Sequence, residues 1–84
     1  HSTDMAIHFS EMLRLLDQAY QHRSLVDIWA WEGSTGEIIH YNGWLVHHVH
    51  WRGGYVRLRN PKNREIRTLP QIYIIKINNK RIYL

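Results

Sequence analysis

The chain has 84 residues, with 11 Lys and Arg against 7 Asp and Glu, 4 Trp, 5 Tyr and no Cys. A single domain of that length buries only about 60 to 65 % of its unfolded surface, so its core is modest and leans on aromatic bulk. The lack of cysteine excludes a disulfide scaffold, a thiolate metal site and a cysteine nucleophile, and fits a reducing compartment such as the cytoplasm; no apolar run approaches the ~18 residues of a membrane span.

Residues 1–4 stand ahead of Met5 and read as a remnant as readily as a native start, and no charged-then-apolar leader precedes the fold. A helix is expected over about residues 5–22. Phe9, Met12, Leu13, Leu16, Ala19 and Tyr20 recur on one stripe, and Glu11, Arg14, Asp17, Gln18 and Gln21 fall outside it. Thr3, Asp4 or Ser10 would cap its start, while His22 and Arg23 suit the negative end. The stripe is expected to dock on a sheet.

After Ser24 the period changes to two. Val26, Ile28 and Ala30 alternate with Leu25, Asp27, Trp29 and Trp31, so this strand is either covered on both faces or offers a Trp-bearing contact surface. Residues 33–36 form a turn, and residues 37–41 return. Asn42-Gly43 is then either a tight hairpin turn or a bulge in one long, bent strand from Glu37 to Trp51.

Gly53-Gly54 is expected to make a two-residue hairpin, with Arg52 opposite Tyr55, Trp51 opposite Val56 and His48 opposite Arg59. That register puts Val49, Trp51, Val56 and Leu58 inward. His48, His50, Arg52, Tyr55, Arg57 and Arg59 face outward together. Pro61 and Asn63 suit a turn that pairs Leu58 with Ile66, which adds Arg67 to the outward row beside Arg57. Pro70 interrupts the ladder, and residues 71–77 and 80–84 make a last hairpin about Asn78-Asn79, with Ile75 opposite Ile82.

The expected fold is therefore one mainly β domain over residues 1–84, with an N-terminal helix and six to seven strands over about residues 25–84. Either a small closed barrel or a strongly bent antiparallel meander would satisfy it, and closure disposes of the sheet edges most simply. The order resembles an SH3-like barrel with an added helix, in architecture and not in any motif. SH3 peptide binders set acidic loops beside an aromatic groove, whereas the outer sheet here is basic, so their proline-rich ligand is not carried over.

Charge is divided unevenly along the chain. Through Trp51 two arginines face six carboxylates, a net −4; from Arg52 onward nine cations face Glu65 alone, a net +8. Cationic groups attract phosphate whatever its sequence, and an aromatic ring among them can stack on a base. The outward row of His48, His50, Arg52, Tyr55, Arg57, Arg59 and Arg67 thus points to a non-enzymatic binding module that contacts DNA or RNA through a sheet face. The competing reading is a solvated face whose Arg stems cover apolar strand.

The alternative function is a protein-interaction or self-association module, with Trp29, Trp31 and Trp44 lining a groove and the helix assisting. His48 and His50 share a face, and a true hairpin at Asn42-Gly43 would bring Glu37 opposite His48 as the start of a zinc site, leaving His40 and His47 in structural roles inside. Arg57 and Arg59 would repel the cation and no fourth ligand is evident, so no metal or cofactor is assigned. No glycine elbow carries a Ser, no carboxylates pair on a rigid element and no phosphate loop is present, so catalysis finds no support.

Overall fold

The computed structural model describes residues 5–84, which form one seven-stranded sheet and one α-helix. The caps considered at Thr3 and Asp4, and the origin of residues 1–4, lie outside the described residues. Strand β1 (Met5–His8) leads directly into helix α1 (Phe9–His22). The helix thus begins at Phe9, the first member of its stripe, and not at the expected residue 5. Residues 5–8 instead pair in parallel with β7 (Lys80–Tyr83), a partner from the far end of the chain that local periodicity does not reveal.

His8 takes the cap position, its Nδ1 accepting the backbone N–H of Ser10 at 3.0 Å. At the other end His22 lies in the last turn, and Arg23 adopts the left-handed conformation (φ 55°) with its N–H donating to the Ala19 carbonyl. Met12, Leu16 and Ala19 are buried, with Phe9 and Leu13 packed at the margin. Tyr20, the last member of the stripe, stays 42 % exposed.

Strand β2 (Leu25–Trp31) buries Val26, Ile28 and Ala30 and leaves Leu25 and Trp31 exposed, so the core covers one of its faces. Strand β3 (Ile38–His50) is a single run of 13 residues. Asn42-Gly43 makes a bulge, not a hairpin. Val26 partners Trp44 and Asp27 partners Asn42, which leaves Gly43 unpaired at φ 75°. Because β2 offers hydrogen-bond partners on both sides of that step, continuing the ladder satisfies backbone that a reversal would strand. Glu37 is consequently not brought opposite His48, and the zinc arrangement loses its geometry.

Strand β4 (Tyr55–Arg59) pairs with β3 two residues out of the expected register: His50 partners Tyr55, Val49 partners Val56 and His48 partners Arg57. The reversal uses Trp51 to Gly54, closed by the Gly54 N–H on the His50 carbonyl at 3.0 Å, with Gly54 at φ 70°. Trp51 sits in this turn, 51 % exposed, and is not in the core as expected. A second irregularity, at His47, lets Val46 partner Leu58 and point inward as well.

Strand β5 (Ile66–Pro70) is one residue out of the expected register with β4. The turn is longer than a simple proline turn: the Asn60 N–H donates to Glu65, the Arg64 N–H donates back to Asn60, and Arg64, not Asn63, is left-handed at φ 63°. Leu58 therefore partners Arg67, while Arg57 partners Thr68. A 3₁₀ turn (Gln71–Tyr73) replaces the start of the expected strand, and β6 (Ile74–Ile77) then pairs with β2 and, through left-handed Asn78 and Asn79, with β7. The last hairpin keeps its expected register, Lys76 partnering Arg81.

The spatial order is β1-β7-β6-β2-β3-β4-β5, and the sheet is not closed into a barrel. Its edge strands are β1, paired with β7, and β5, paired with β4, and among the described residues these two do not pair with each other. Both edges are short, and Pro70, which has no N–H to offer, ends β5. Among the described residues no helix is long and apolar enough to cross a membrane. One core joins Met12 and Leu16 of α1 to Ile28, Tyr41, Val56, Leu58, Leu69, Ile74 and Ile77 of the sheet.

Candidate nucleic-acid interface

The β3–β4 hairpin gathers four of the expected residues through ring contacts. His48 meets His50 edge to face at 4.1 Å, His50 stacks on Tyr55 at 4.3 Å and 25°, and the Arg57 guanidinium carbon stands 5.8 Å from the Tyr55 ring centre. Helix α1 joins this chain of rings through Tyr20, edge to face with His48 at 5.9 Å. Tyr55 also covers Gly53, where an added Cβ would lie 2.5 Å from Cε2. The half-buried ring thus packs on His50 and over Gly53, with Arg57 nearby.

The positive field is felt at His50. Partial desolvation first, then the charges of His48 and Arg57, hold its imidazole below the ordinary range. Arg52 extends from the turn, and Arg59 continues the row two residues along β4 from Arg57, partnering Leu45. Among the described residues no carboxylate forms an ion pair with Arg52, Arg57 or Arg59. The acidic half of the chain nonetheless reaches the margin, because Asp17 of α1 lines the same open hollow as His48, His50 and Arg52.

Arg67 is not part of this row. The one-residue displacement of β5 puts it on the side of Leu58 and Leu69, where it pairs with Glu65 and lines a groove with Trp31, Glu32, Tyr41 and Tyr73. In that groove the Ser34 N–H and hydroxyl, donating to Glu32 at 2.9 and 2.8 Å, hold its carboxyl below the usual range, the Ser34 N–H most strongly. Desolvation pushes the Tyr41 phenol up.

The three tryptophans do not share one surface. Trp44 lies against Tyr41 on the core side, Trp31 meets Tyr73 edge to face at 6.4 Å, and Trp29 stacks on His40 at 3.9 Å and 9°. His40 bonds Asp27 through Nε2, and Lys76 stands 6.0 Å from the Trp29 ring, so this second histidine site is a satisfied cluster on the outer face. His40 and His47 are both exposed, not inside as a hairpin at Asn42-Gly43 would have placed them.

Sequence reasoning missed Gln71. Buried at the start of the 3₁₀ turn, it donates from Nε2 to the carbonyls of His50 (3.2 Å) and Tyr55 (3.3 Å), while its N–H donates to Gly54 (2.8 Å). One side chain thereby fixes the hairpin that carries the ring chain. Its position directly after Pro70 was the available signal, as a polar residue starting a turn. No protein family, curated protein or solved structure matches this chain.

Proposed function

We propose that the protein is a non-enzymatic binding module that holds the phosphate backbone of nucleic acid on the β3–β4 hairpin. The supporting observation is that His48, His50 and Arg57 share one surface while the heads of Arg52, Arg57 and Arg59 have no carboxylate partner among the described residues. Unpaired guanidinium groups on a half-buried ring support suit phosphate oxygens, which accept hydrogen bonds and carry charge. Titration of labelled DNA and RNA against salt tests the reading. Binding at low salt that weakens as salt rises is expected, and an absence of binding, or binding indifferent to salt, would refute it.

A protein partner or a second copy is the alternative, seated on the groove where Trp31 (55 % exposed) and Ile66 (47 % exposed) stand beside Tyr73. Light scattering separates the two readings: a strict monomer whose Trp31→Ala variant behaves as the parent leaves the groove without a self-association role.

A further inference from the structure

Tyr20 stands between two hollows and, among the described residues, is the one that lines both. On one side lie Asp17, His48, His50 and Arg52. Gln21, Arg23, His47 and Arg59 lie on the other. Among the described residues no carboxylate lines this second hollow. Its two arginines come from separate elements: Arg23 is set by the left-handed end of α1, and Arg59 ends β4.

Every other aromatic or aliphatic residue on the helix stripe is buried or packed at the core margin, whereas Tyr20 is 42 % exposed and its ring contact among the described residues is with His48. An exposed ring with Arg23 and Arg59 in the hollow on one side and Arg52, facing Asp17, in the hollow on the other is an arrangement that takes a base between two phosphates. A duplex keeps its bases stacked inside and presents backbone alone, but a single strand can splay one base out.

We infer that the ligand is a single-stranded nucleic acid that crosses the seam between α1 and β3–β4, one base stacked on Tyr20 and a phosphate in each hollow. This rests on the proposed function and names its substrate class, adding Tyr20, Arg23 and His47 to the surface. Asp17 is the opposing group, and it limits affinity on the hairpin side.

The test measures anisotropy of labelled oligonucleotides of about 12 nucleotides, within the length one small β domain covers. Single-stranded DNA, single-stranded RNA and the duplex of the same sequence are compared at fixed low salt. Single strands are expected to bind at least about tenfold more tightly than duplex. Tyr20→Leu, which keeps apolar bulk and removes the ring, weakens single-strand binding about 5- to 100-fold and leaves duplex binding unchanged, as loss of one stacked base requires. Tyr20→Phe retains parental binding. Arg23→Ala lowers the salt slope for single strands by about 1.

Equal affinity for single strand and duplex, or a Tyr20→Leu variant that binds as the parent does, would overturn the inference while leaving backbone binding standing. Absence of binding to all three would overturn both. The DNA and RNA arms report whether a 2′-hydroxyl is read.

Discussion

The β3–β4 and β4–β5 hairpins both depart from the register that their turn residues suggest, but by different amounts. At β3–β4 the displacement is two residues, so Val49 and Val56 still face inward and His48, His50 and Arg57 still share the other side. At β4–β5 the displacement is one, and every side chain of β5 changes face. An even slip preserves a surface, and an odd slip removes a residue from it. That is why Arg57 remains in the cationic row while Arg67 joins the Trp31–Tyr73 groove.

Truncations in β5 test that parity most severely. Leu69 is 5 % exposed and Ile66 is 47 % exposed, so Leu69→Ala should cost about 2 to 4 kcal/mol and Ile66→Ala less than about 1 kcal/mol in urea unfolding. The reverse ranking would restore the register in which Ile66 faces Leu58. Next in size is Gln71→Ala, expected to cost about 1 to 3 kcal/mol because the Gln71 bridge to the hairpin carbonyls is lost. Protection of the Tyr55 amide in hydrogen exchange should fall with it.

A binding comparison is more delicate. Arg57→Ala should lower the salt slope of oligonucleotide binding by about 1, and Arg67→Ala should leave it unchanged; equal effects would mean that both arginines reach the backbone. The smallest expected effect is that of pH on His50. Its folded-state imidazole is held below the unfolded value, so the unfolded chain takes up its proton first, and stability is lost as pH falls from neutral through the window below about 6.5. His50→Gln should remove that share of the decline in melting temperature. Asp17 and Arg52 face the same hollow from α1 and the turn, with His48, Tyr55 and Arg57 alongside. A phosphate seated there favours the charged ring, so oligonucleotide affinity should rise over the same pH interval, and a flat profile would place the phosphate elsewhere.

Much of the candidate surface was legible because it depends on local alternation. His48, His50, Tyr55 and Arg57 occupy the face opposite Val49, Val56 and Leu58 in any register that differs by an even number. The Trp-rich surface was less legible, since alternation puts Trp29 and Trp31 on one face of β2 but says nothing of His40 arriving to cover Trp29 or Tyr73 to meet Trp31. Tyr20 belonged to the helix stripe by spacing, and only the place where α1 ends on β3 leaves it between two hollows.

The order of residues along the chain by itself determined the amphipathic helix ending near Arg23, the inward set Val26, Ile28, Ala30, Val56 and Leu58, the turn at Asn78-Asn79 and the concentration of cations after Trp51. Those properties follow from side-chain periodicity and from residues that tolerate left-handed backbone, both of which act over a few positions. Tertiary structure alone decided that residues 5–8 form a strand, that Gly43 is a bulge, that β5 turns Arg67 away from Arg57 and that the sheet stays open. Each of these outcomes was a competition among distant backbone partners, and hydrogen-bond donors and acceptors carry no label in the sequence that says which strand will reach them first.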